Sequence, residues 1–170
     1  MLLFSQKNEN HSGIYLAYGL DMLTEQMLVT CPCAVITAVT MLPDHILVFR
    51  GRDYEGVPTL EHHLSGRAPS VLWRISPYCE RNLDIMWCCP RLYHKEKFEV
   101  KASGVNFLAY TYIINKLPHG RVLPYGRPTL KTLAIIARGY QKHGFDKKLL
   151  LSSLRFSTPV DPDREFFFPF

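Results

Sequence analysis

The 170-residue sequence has no apolar run of about 18 residues or more, so no segment reads as a membrane-spanning helix. The opening stretch, MLLFSQKNEN, has neither the basic n-region nor the apolar length of a secretory signal. There is no P-loop, no dinucleotide-binding G-x-G-x-x-G and no G-x-S-x-G elbow, which removes the common nucleotide-dependent and serine-hydrolase readings. C-x-x-C and H-E-x-x-H spacings are missing too. Cys31-x-Cys33, Cys88-Cys89 and His62-His63 therefore form no recognised zinc set, and no metal is expected. Internal repeats and low-complexity linkers are also lacking.

What remains is ordinary globular composition, with 47% hydrophobic and 21% charged residues. The length suits one domain. Five cysteines, an odd number with two adjacent, speak against a disulfide framework and for a reducing, cytoplasmic setting. Charge is uneven: residues 91–155 carry 13 Lys and Arg against 3 Asp and Glu, whereas residues 1–90 carry 6 against 9. A basic half of this kind attracts anions, although it is also what a solvated helix face looks like.

Along the chain, residues 1–12 read as a flexible N-terminus. Gly13 to Tyr18 reads as a buried strand ending at Gly19, followed by a short helix over Leu20–Leu28. That arrangement places backbone N–H groups of residues 19–22 at a helix start, where an anionic group is favoured. Cys33–Leu42 and His45–Arg50 read as two strands of a hairpin around Pro43-Asp44. Val57–Leu64 and Pro69–Ile75 read as further strands separated by Ser65-Gly66. Ser76-Pro77 opens a helix with a serine cap, Glu80 in its first turn and Pro90 beyond its end. Two strands follow, over 92–100 and 105–114, then a Pro/Gly-rich loop over 115–128. A helix from Pro128 to His143 is closed by Gly144, and a last helix, capped by Asp146, runs to about Leu154. The tail, residues 156–170, ends in Phe166-Phe167-Phe168-Pro169-Phe170, an apolar cluster that calls for docking or a protein partner. This order predicts an α+β fold with a mixed sheet.

Four segments carry a family resemblance. Tyr18-Gly19-Leu20-Asp21-Met22 is similar to a Y-G-S-N-[ML] loop after a first strand. Val71-Leu72-Trp73-Arg74-Ile75-Ser76 is similar to a strand V-x-G-x-L-[YW]-x-[IL]-[ST]. Leu83-Asp84, Pro90 and Tyr93 match L-D-x-x-E-G-x-P-x-x-Y, and Gly139 to Phe145 is similar to G-A-x-E-H-G-L. In this order they resemble the gamma-glutamylcyclotransferase superfamily, including its avirulence-induced-gene-like members, over residues 13–155. The resemblance implies a small mixed β-barrel flanked by helices, with one cavity and no cofactor. It implies loop amides that hold a substrate carboxylate. It also implies a glutamate that moves the proton while the substrate's α-amine attacks the γ-carbonyl, releasing 5-oxoproline.

The sequence departs from this pattern where the chemistry sits. The Ser-Asn pair is Leu20-Asp21, the catalytic glutamate position falls on Trp87, and a family tyrosine falls on Thr132. Asp21 brings negative charge to a carboxylate subsite, and an indole is no general base. Tyr18, Gly19, Leu20, Asp21, Met22, Trp87 and Tyr93 are the expected ligand-site residues. Asp21 is the first candidate for a replacement acid/base, with Glu61 and Asp84 behind it. A nucleophilic Cys88 or Cys89 paired with a histidine is conceivable. The favoured reading is a protein of this fold without the standard reaction, binding a small amino-acid-like or gamma-glutamyl ligand or a protein partner. Alternatives are a divergent cyclotransferase and a basic-face interaction module. Nucleic acid is the least favoured partner.

Overall fold

The computed structural model describes residues 13–159. The aromatic C-terminal run and the N-terminal twelve residues lie outside them. Five strands form one mixed sheet: β1 (Gly13–Ala17), β2 (Val35–Arg50), β3 (Val57–Ile75), β4 (Tyr93–Ala102) and β5 (Val105–Ile114). Their order is β2-β3-β1-β5-β4. The short apolar β1 is central, antiparallel to β3 with Tyr15 opposite Trp73, and parallel to β5 with Tyr15 opposite Tyr110. Its Tyr15, Leu16 and Ala17 side chains are all buried in the core.

The sheet curls until its two edge strands touch. Thr40 Oγ1 donates to Lys101 O at 3.1 Å, and His45 meets Phe98 edge-on at 5.1 Å. No ladder joins these edges among the described residues, so the expected barrel is an open, strongly coiled sheet.

The turn signals at Pro43-Asp44 and Ser65-Gly66 do not reverse the chain. They lie opposite each other in one long β2–β3 ladder, where Pro43 pairs with Arg67 and His45 with His62. Asp44 and Ser65 both take positive φ, and Ser65 N donates to Asp44 Oδ1 at 2.9 Å. The two signals cancel into a two-sided bulge that bends a single hairpin. The expected four short strands are therefore two long ones, reversed instead at the charged 51–56 loop.

Four α-helices flank the sheet: α1 (Thr24–Thr30), α2 (Pro77–Met86), α3 (Leu130–Lys142) and α4 (Lys147–Phe156). The caps expected at Ser76 and Asp146 are in place, Thr129 caps α3 within the helix expected from Pro128, and α1 has no side-chain cap. Ser76 Oγ accepts from Cys79 N, Thr129 Oγ1 from Thr132 N, and Asp146 Oδ1 from Lys148 N. The expected helix over Leu20–Leu28 is divided. Leu20–Met22 is a single 3₁₀ turn, Leu23 is extended, and α1 begins only at Thr24. α3 lies beneath that turn. A Cβ on Gly139 would sit 3.3 Å from Met22 Cβ, and His143 Nε2 donates to Met22 O at 2.7 Å.

The bend is tight at Gly66, where an added Cβ would lie 2.7 Å from His63 O and 2.8 Å from His45 O. Backbone oxygens cannot give way as side-chain ends do. Gly66→Ala is expected to cost about 1–3 kcal/mol in urea denaturation. Unchanged stability would contradict the close packing at the bulge.

Candidate functional site

Asp21 sits in the 3₁₀ turn, 1% exposed, with three aromatics converging on it, two of them distant in sequence. Trp73 Nε1 donates to its backbone oxygen at 3.1 Å, which fixes the turn. Tyr15 OH donates to Oδ2 at 2.8 Å and Trp87 Nε1 donates to the same oxygen at 3.2 Å. Oδ1 is buried without a hydrogen-bond partner among the described residues. Desolvation pushes the Asp21 pKa up, the Tyr15 and Trp87 bonds push it down, and the balance lies at about 6, above the ordinary 3.8.

Trp87 is delivered by the end of α2. Its N–H donates to Leu83 O at 2.8 Å, and Cys88 then turns the chain at a φ of 49°. The indole stacks on Tyr112 at 5.8 Å and 14°, and meets Tyr93 edge-on at 4.8 Å. Asp84, three residues upstream, anchors the helix. It accepts from Tyr112 OH at 2.6 Å and pairs with Lys95 at 2.8 Å. That engagement gives Asp84 a structural role. Glu61 is bound to Arg50 and accepts from Tyr125 OH at 2.9 Å, so it faces a different part of the molecule.

A pocket of about 300 Å³ lies over Asp21. Leu20, Trp87, Cys88 and Tyr93 line it with Asp21, and Val57, Pro58, Gln26, Met86 and Leu92 complete the wall. Tyr93 offers its ring rather than its hydroxyl, which donates to Pro58 O at 2.8 Å. Among the described residues no lysine, arginine or histidine lines this pocket, so a Cys88–His nucleophilic pair is not assembled here. No group of three or more His, Cys, Asp or Glu side chains stands ready for a metal ion among the described residues.

The structure thus brings Leu20, Asp21, Trp87 and Tyr93 to one wall and places three other expected residues elsewhere. Tyr18 is buried beside Trp87, its hydroxyl donating to Tyr112 O at 2.6 Å. Gly19 packs against the Pro58 ring, and Met22 belongs to the core beneath α3. Thr132 is part of the α3 cap and does not reach the pocket. Of the expected anion-receiving amides, that of Met22 is consumed, since it donates to Gly19 O. Sequence reasoning missed Tyr15, the closest hydroxyl to the carboxylate. Its only signal was a polar tip in an otherwise apolar central strand.

The unpaired burial of Asp21 has a sign in the pH dependence of stability. Its folded pKa is above its unfolded value, so its contribution is full below pH of about 3.8 and is lost as pH rises through about 6. The stability of wild type minus that of Asp21→Asn is expected to fall by about 2–3 kcal/mol between pH of about 4 and about 7.5. A pH-independent difference in paired denaturation curves would contradict a buried, elevated carboxyl.

Solved structures share this arrangement of elements. A structure described as a gamma-glutamyl cyclotransferase superposes with a TM-score of 0.73 at 20% identity, covering 91% of this chain and 93% of that one. An uncharacterised protein from Homo sapiens gives 0.73 at 20% identity, with 92% and 94% covered. An AIG2-like protein from Mus musculus gives 0.52 at 17% identity, with 68% and 86% covered. Neither a protein-family model nor a curated protein matches the sequence. The chain has the gamma-glutamyl cyclotransferase-like fold.

Proposed function

We propose that this protein, built on the gamma-glutamyl cyclotransferase-like fold, binds a small amino-acid-like ligand by its amine in the Asp21 pocket and does not carry out the standard cyclisation. The observation behind this reading is the buried Asp21 carboxyl, which receives an indole N–H where the resemblance calls for a catalytic glutamate. Trp87 donates one hydrogen bond and takes up no proton near neutral pH, so it cannot serve the amine and the leaving nitrogen in turn.

The pocket's charge favours an amine over a carboxylate. A ligand carboxylate would meet Asp21 with no cationic side chain on the wall to offset it. An ammonium group meets the opposite situation. It pairs with the carboxylate, offers a donor to Oδ1, which has no partner among the described residues, and sits among the lining side chains of Trp87 and Tyr93. Leu20, Val57 and Pro58 then cover the ligand's apolar part.

One observation favours a second reading, a divergent cyclotransferase acting on a gamma-glutamyl amine or peptide with Asp21 as its acid/base. A carboxyl with a pKa of about 6 is suited to exchanging protons near neutral pH.

The two readings separate in one set of experiments with the purified protein. Titration calorimetry with small primary amines is expected to give binding that weakens about tenfold per pH unit below about 6, as Asp21 takes up its proton. Gamma-glutamyl amines and peptides are expected to release no 5-oxoproline. Release that Asp21→Asn abolishes would replace the first reading with the second. Amine binding unaffected by Asp21→Asn would overturn the first reading, and 5-oxoproline release unaffected by it would overturn both.

A further inference from the structure

We propose that Cys33 and Cys79 form a paired oxidation site, in which an exposed thiol and a buried one close to a disulfide by exchange with a small disulfide of the glutathione type. The two sulfurs lie 3.1 Å apart although 46 residues separate them in sequence. A disulfide needs about 2.05 Å, so roughly one ångström of side-chain movement joins them. Cys33, in the connector between α1 and β2, is exposed, and Cys79, in the first turn of α2, is fully buried. An incoming disulfide therefore reaches Cys33, whose sulfur lies against that of Cys79.

The surroundings fit these unequal parts. Ser76 Oγ is 3.4 Å from Cys33 Sγ and accepts from Cys79 N at 3.2 Å. Burial raises the Cys79 pKa, but hydrogen bonding to Ser76 and Cys33 outweighs it and holds the thiol below its ordinary value. The first turn of α2 also favours a thiolate there. Cys31, the third sulfur nearby, donates to Cys79 O at 3.4 Å, and burial pushes its pKa up, so it stays protonated.

The exchange balances in two steps. The Cys33 thiolate attacks one sulfur of the small disulfide, forming a mixed disulfide and expelling one thiolate. The Cys79 thiolate then attacks the Cys33 sulfur and expels the second. Two protein thiols are oxidised and one small disulfide is reduced to two thiols, the protons lost by Cys33 and Cys79 being taken up through solvent by the two expelled thiolates. The new bond ties the α1–β2 connector to the start of α2, the helix whose far end holds Trp87.

The test uses the full native chain in glutathione redox buffers, followed by acid quenching, alkylation and peptide mass spectrometry. A cross-link assigned by fragmentation to Cys33 and Cys79, absent from Cys33→Ser and accompanied by a rise in Tm, is the expected result. Three results overturn the proposal: both thiols remaining alkylatable in excess oxidised glutathione, a glutathione adduct that persists on Cys33, or a cross-link to Cys79 that survives in Cys33→Ser.

Discussion

The hydrogen bond from Trp87 Nε1 to Asp21 Oδ2 joins everything that distinguishes this site. It connects the end of α2 to the turn after β1, two segments 66 residues apart, and it does so inside the aromatic cluster. Each partner explains the other. A buried carboxylate needs donors, and the indole supplies one that cannot itself be titrated away. A buried indole N–H needs an acceptor, and Asp21 supplies it. Tyr15 completes the set from the central strand, yet Oδ1 is still unpartnered. The result is a carboxyl of raised pKa on the wall of a largely apolar pocket, and the proposed preference for an amine rests on that setting.

Leu20 and Asp21 belong to the same change. In the motif that the sequence resembles, this turn offers a hydroxyl and an amide to an anion. Here it offers an apolar side chain and a carboxyl. The Met22 amide of the 3₁₀ turn is also spent on Gly19 O. The scaffold is shared with a gamma-glutamyl cyclotransferase structure.

Much of this was legible before any coordinates. Local signals with a single physical meaning fared best: Ser76-Pro77 capping α2, Asp146 capping α4, and Gly144 ending α3 with a φ of 72°. Signals whose meaning depends on a partner fared worse. Pro43-Asp44 and Ser65-Gly66 each read as chain reversals, because nothing local reveals that they face each other across a ladder. The helix expected from Leu20 was right in its apolar spacing and wrong in continuity, since Leu23 is held extended between the 3₁₀ turn and α1. At the site, Asp21, Trp87 and Tyr93, which the motif spacing grouped, line one pocket. The spacing did not reveal that Tyr18 and Met22 point into the core, nor that Tyr15 reaches the carboxylate. Those facts depend on side-chain direction in three dimensions.

The central claim is that Asp21 is a buried, proton-holding carboxyl that answers to an amine. Its most direct test is the ¹³C chemical-shift titration of the Asp21 carboxyl by NMR, in the free protein and with a saturating primary amine. The expected midpoint is about 6 in the free protein, moving lower when the amine is bound. A midpoint near the ordinary 3.8, unmoved by the amine, would contradict the account.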